Sequence, residues 1–123
     1  MKKVIATVDA PKAVGPYSQA IEVNGTLYIS GQIPVNPADG QIQDEITAAA
    51  HQSLKNIGAI LKEAGMTYDN VVKTTVLLAD IADFKAVNEV YAEYFTGDKP
   101  ARACYQAAAL PLGVKVEIEA IAV

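Results

Sequence analysis

From Asp44 to Ala64 the apolar residues Ile46, Ala50, Leu54, Ile57 and Leu61 recur at intervals of three and four, while Thr47, His51 and Lys55 fall on the opposite, polar side. Gly65 follows where a C-terminal cap glycine belongs, so the spacing predicts an amphipathic helix over 44–64. A second stripe, Phe84, Val87, Tyr91 and Tyr94, predicts another helix, opened by Asp80 or Asp83 as a capping residue and ended by Gly97. Elsewhere the pattern is that of strands. "AIEV-NG-TLYIS" sets an Asn-Gly pair between two short β-rich runs, which predicts strands near 18–23 and 26–31 joined by a two-residue type I′ turn. In that register Gln19 faces Ser30, and Tyr17 lies diagonally on the same face. "NVVKTTVLLAD" is rich in β-branched residues and too short for a long helix, so it reads as a buried strand. Two further strands, near 101–108 and 114–122, flank "LPLG". The order ββαβαββ describes an α+β domain with both helices on one face of a mixed sheet.

Alternation along the last strand puts Val114, Val116, Ile118 and Ala120 on one side and Lys115, Glu117, Glu119 and Ile121 on the other. The first side is core. The second combines two carboxylates with an apolar end, a pattern expected where a second subunit or a ligand covers a sheet.

Composition narrows the function classes. With 123 residues the chain is one domain, 1–123, large enough to hold a core without staples. No stretch approaches a membrane span, and the basic start is followed by too short an apolar run for a signal peptide. Cys104 is the only cysteine and no Cys/His cluster has metal-ligand spacing, so a reducing cytoplasm and no metal or other cofactor are expected. A net charge of -4 argues against a general nucleic-acid binder.

Against that background "KPARACYQAAALP" stands out, because Arg102 sits among small and apolar residues with no acidic neighbour in the stretch. Arginine does not lose its proton in a folded protein, so a half-buried one needs a carboxylate, a phosphate or carbonyl groups. Arg102 and Cys104 share a face of their strand. If that strand neighbours the last one, a structural ion pair with Glu117 or Glu119 is one reading. The other is a carboxylate-binding site, with Ala101 and Ala103 leaving room for a ligand to reach the guanidinium fork.

Taken together, "GPYSQA" (15–20), "SGQIP" (30–34), "ARAC" (101–104) and "VEIEAIAV" (116–123) resemble the motifs of the RidA family, the YjgF-like imine and enamine deaminases, and the likeness runs from end to end. The resemblance implies a chorismate-mutase-like fold, a homotrimer with sites in clefts between subunits, and hydrolysis of 2-aminoacrylate or 2-aminocrotonate to 2-keto acids and ammonia. It implies that Arg102 holds the substrate carboxylate, that Glu117 positions or activates water, and that Tyr17, Ser30, Gly31, Asn88 and Cys104 line the pocket.

Such chemistry needs no cofactor. An imine carbon is already electrophilic, so hydrolysis asks for a tautomerised substrate, a placed water and a proton for the departing nitrogen. Glu119 projects to the same face as Glu117 and is its rival, a structural partner on the motif match. Cys104 has no base beside it and reads as a lining residue rather than a nucleophile. His51 reads as solvent-facing. Ser30-Gly31 offers a hydroxyl and an approachable amide but is also common turn chemistry, and Asn88 has a capping or bridging alternative. Two other functions use the same residues differently: a non-catalytic 2-keto acid sensor, which needs Arg102 but no water-activating Glu117, and an endoribonuclease or translation inhibitor, against which the acidic charge weighs.

Overall fold

The computed structural model describes residues 1–123. Its elements are β1 (Lys3–Ile5), β2 (Ala20–Val23), β3 (Thr26–Gln32), α1 (Ile46–Glu63), β4 (Val71–Leu78), α2 (Phe84–Tyr94), β5 (Ala101–Gln106) and β6 (Val116–Ala122). The six strands form one mixed sheet in the order β1-β2-β3-β6-β4-β5. β3, β4 and β5 run parallel to one another; β6 lies antiparallel between β3 and β4. The crossovers β3-α1-β4 and β4-α2-β5 advance the same way across the sheet, and right-handed crossovers in one direction put both helices on one face.

Local chemistry explains the boundaries. The Asn24-Gly25 turn has φ of 50° and 80°, the left-handed values a type I′ hairpin demands. Its strands pair Ala20 with Ile29 and Val23 with Thr26, the register the turn predicts. The Glu45 carboxylate accepts hydrogen bonds from the Thr47 and Ala48 amides at the start of α1, and Gly65, at φ 75°, follows its end. Asp80 caps a single 3₁₀ turn over Ile81–Asp83, which leads into α2 at Phe84.

The core lies between the helices and one side of the sheet. Leu54, Ile57, Ile60 and Leu61 of α1 are fully buried, each worth roughly 2 kcal/mol in surface removed from water. They meet Leu27 and Ile29 of β3, Val116, Ile118 and Ala120 of β6, and Val76 and Leu78 of β4. The opposite face is covered by nothing in the chain. It carries exposed Val4, Tyr28, Tyr105 and Glu119, with half-buried Thr75, Leu77, Glu117 and Ile121 among them. No helix is long and apolar enough to cross a membrane.

Two expectations change. The three-residue β1 went unread because its apolar run is too short to show a period; pairing with β2 is what makes it a strand. β5 and β6 are not neighbours, because β6 fills the gap the first crossover leaves between β3 and β4.

Candidate functional site

The gap filled by β6 decides the fate of Arg102. On β5, Arg102 pairs in register with Thr74 of β4 and projects toward the helices, whereas Glu117 of β6 pairs with Leu77 on the open face. Two strand spacings and three residues separate the two positions, roughly 14 Å between backbones, on opposite sides of the sheet. A structural ion pair with Glu117 or Glu119 within the chain is therefore overturned. The one basic–acidic side-chain contact within 4 Å is His51 Nε2 with Glu93 Oε2, at 3.8 Å, an ion pair only when the imidazole is protonated.

What holds Arg102 is α2. Phe84, Asn88 and Tyr91 stand at i, i+4 and i+7 on one stripe of that helix. The Arg102 Nη1 donates to Asn88 Oδ1 at 2.8 Å, and its guanidinium carbon lies 4.9 Å from the Tyr91 ring centre and 5.4 Å from that of Phe84. A cation over a ring face is stabilised by about 0.5–2 kcal/mol without being neutralised. The Tyr91 hydroxyl shares a 2.7 Å hydrogen bond with buried Thr74 Oγ1. Burial raises the Tyr91 phenol's pKa, against the Thr74 bond and the Arg102 charge, so this hydroxyl keeps its proton. Cys104, two residues along the same face, is half-buried against the core, and burial pushes its thiol up, with Arg102 only partly opposing. That is the setting of a lining residue, not of a thiolate.

A second cluster lies on the other face. The β3–β6 register slips between Ile29 and Gln32, so that Ser30 and Gly31 together oppose Glu119 in a β-bulge. The bulge brings the Glu117 side chain over Gly31: a Cβ at position 31 would stand 2.1 Å from Glu117 Oε2. A side chain at position 31 would displace the Glu117 carboxylate from this place. Burial raises the Glu117 carboxyl above its ordinary value, and the Glu119 charge adds to the rise. Ser30 Oγ donates to the Ser18 carbonyl at 2.6 Å, which ties the bulge to the loop carrying Tyr17. Tyr17 is half exposed and lines two open cavities. The larger, of about 530 Å³, also meets Tyr28, Ser30, Lys73, Glu119 and Ile121; the smaller, of about 300 Å³, meets Gly31 and Leu112. Neither is lined by Arg102 or Glu117.

The structure thus gathers the sequence candidates into two clusters: Arg102, Asn88 and Cys104 beside α2, and Glu117, Gly31, Ser30 and Tyr17 around the bulge. Phe84, Tyr91 and Thr74 were not singled out, although the helical interval from Phe84 through Asn88 to Tyr91 was available to find two of them. His51 is not purely solvent-facing. Its Nδ1 meets the Tyr94 hydroxyl at 2.7 Å, linking α1 to α2. No group of three or more His, Cys, Asp or Glu side chains gathers anywhere in the fold.

Residues 7–123 match the family model described as Endoribonuclease L-PSP. A 2-iminobutanoate/2-iminopropanoate deaminase of Mus musculus is 59% identical over 124 residues, spanning 100% of this chain and 92% of the relative. The crystal structure of the Rid-family protein YyfA from Yersinia pestis superposes with a TM-score of 0.97 at 51% identity, covering 99% of this chain and 98% of that one. TdcF from E. coli, solved with bound serine, gives a TM-score of 0.96 at 44% identity over 98% of both chains.

Proposed function

The chain belongs to the Endoribonuclease L-PSP family, with Rid proteins among its relatives, and from that premise we propose that it is a 2-iminobutanoate/2-iminopropanoate deaminase whose site is assembled between subunits. The observation that carries this reading is Arg102: a permanent cation, half-buried, with no carboxylate of its own chain and one Nη held by Asn88, so that the remaining fork is available to a substrate carboxylate. Serine, found in TdcF, is an α-amino acid of matching chemistry.

In this mechanism Arg102 of one subunit anchors the carboxylate of 2-aminoacrylate or 2-aminocrotonate. The enamine takes up a proton at C3 and gives one up from nitrogen, becoming the imine. Water held by Glu117 of the neighbouring subunit attacks C2 as the carboxylate accepts one of its protons and passes it to the imine nitrogen, giving a carbinolamine; the new hydroxyl then yields its own proton through Glu117 to the amine nitrogen as the C–N bond breaks, leaving ammonia and a 2-keto acid. A carboxyl held above its ordinary pKa by burial is suited to exchange a proton in both directions. Tyr17, Ser30 and Gly31 bound the pocket on the Glu117 side, Asn88 and Cys104 on the Arg102 side. No cofactor enters.

A homotrimer closing over the uncovered face, of chorismate-mutase-like architecture, is part of the proposal and accounts for Tyr28, Ile121 and Tyr105 standing outside the core. The endoribonuclease reading in the family's description asks for a cationic surface that a chain of net charge -4 does not supply. The deciding experiment is ammonia release from freshly generated 2-aminoacrylate by purified protein. Acceleration over the spontaneous rate supports the deaminase. Calorimetric binding of pyruvate without acceleration would leave a cytoplasmic 2-keto acid sensor instead.

A further inference from the structure

We propose that Tyr91, pinned by Thr74, is a positioning residue that holds the Arg102 guanidinium flat against α2 with its free edge turned to the substrate. The inference rests on the reading of Arg102 as the carboxylate anchor. A single hydrogen bond, from Nη1 to Asn88, fixes one point of the guanidinium and leaves its plane free to turn about that bond. The Tyr91 ring, its centre 4.9 Å from the guanidinium carbon, adds a second contact that limits this turning. The ring is itself held on both sides: it is 6% exposed, its centre lies 4.5 Å from that of Phe95, and its hydroxyl is tied to Thr74, the residue directly opposite Arg102 in the β4–β5 register. A phenylalanine would fill the same space. The tyrosine adds a bond that couples the ring's position to the strand beside Arg102. Arginine has much rotamer freedom to lose on binding, so ordering it beforehand lowers the cost of capturing a ligand. The bidentate geometry of a carboxylate depends on that plane.

The test uses pyruvate as probe, with three substitutions in the full chain. Tyr91→Leu removes the ring and should weaken pyruvate binding about tenfold, with KM raised more than kcat is lowered, because the carboxylate is remote from the bond that breaks. Tyr91→Phe should restore most of this, remaining about two- to threefold weaker than wild type. Thr74→Val should match Tyr91→Phe, and the double variant Thr74→Val/Tyr91→Phe should be no weaker than either, because both remove one hydrogen bond. The Arg102 side-chain protons should show upfield ring-current shifts by NMR that shrink to the Phe84 contribution in Tyr91→Leu and persist in Tyr91→Phe, while the KM-against-kcat split and the rescue by phenylalanine are what a purely packing role would not predict. A folded Tyr91→Leu protein with unchanged pyruvate affinity overturns the proposal. If Tyr91→Leu does not fold, additive losses in the Thr74/Tyr91 pair, or no loss in either, overturn it equally. Failure of the wild type to bind pyruvate would instead remove the carboxylate-anchor reading on which it rests.

Discussion

Arg102 and Glu117 belong to one sheet but are handled in opposite ways. Around Arg102 the chain supplies an amide oxygen and two ring faces, groups that accommodate a charge without cancelling it. Around Glu117 it supplies a bare glycine backbone at close range, and burial, with the Glu119 charge second, pushes the carboxyl toward its neutral form. The difference follows from the side chains' own chemistry. A guanidinium cannot shed its proton, so its surroundings must be built to keep it; a carboxyl can take one up, so burial and a neighbouring like charge tune it. Placing the two on opposite faces prevents them from neutralising each other within the chain. In the proposed trimer they meet across the boundary between subunits.

The sharpest way to break this comparison is to damage one half at a time. Arg102→Ala should lose pyruvate binding and turnover together, and Glu117→Gln should keep binding while turnover falls on the order of a hundredfold or more. Each preparation alone is then nearly inactive. Unfolded together in equal amounts and refolded, they should recover about a quarter of wild-type activity, because in a randomly mixed trimer one site in three of each mixed particle draws an intact arginine from one chain and an intact glutamate from the other. No recovery in the refolded mixture, with both variants correctly folded, would mean that each site is built from a single chain.

A smaller effect tests the Glu117 half alone. Gly31→Ala places a methyl group on the line now occupied by the carboxylate, 2.1 Å from its oxygen. The end of a glutamate side chain swings aside cheaply, so the fold should survive with a loss of about 1 kcal/mol in thermal or denaturant unfolding. Turnover should fall about tenfold, because the carboxylate no longer sits where it holds water. Wild-type ammonia release from Gly31→Ala would show that the close approach has no part in the chemistry.

Much of this architecture was legible in the sequence for a local reason. The Asn24-Gly25 turn fixed the β2–β3 register, and Gly65 and the Leu54/Ile57/Leu61 stripe fixed α1, because a few consecutive residues decide each of these. The position of β6 was not legible in that way, since strand order depends on where crossovers leave a vacancy rather than on any residue of β6. The consequence was the mistaken option of an Arg102–Glu117 ion pair. Family motifs picked out residues of both clusters without saying that they face apart, and Tyr91 hid in an apolar helical stripe because its contact with Arg102 depends on what its ring touches. Gly31 inside a strand run was a readable sign of a bulge, taken only as turn chemistry.

The smallest expected effect concerns pH and stability. Glu117 has its carboxyl raised above 4.5, first by burial and second by the charge of Glu119. Between 4.5 and the higher folded value, the native chain binds more protons than the unfolded one, so stability falls as pH rises through that window. The loss is complete above the folded pKa and absent below the unfolded one. Glu117→Gln is uncharged throughout and escapes the loss, so it should melt above the wild type near neutrality by on the order of a degree or two and converge with it near about pH 4. Glu119→Gln removes only the second cause and should fall between. Because Glu117 is still partly open to water in the single chain, covering the open face with a second copy would deepen its burial and steepen the dependence. Thermal melts across this range at low and high protein concentration measure both points. Parallel curves for wild type and Glu117→Gln would contradict the raised carboxyl, and a pH dependence unchanged by concentration across the assembly transition would contradict burial of Glu117 between subunits.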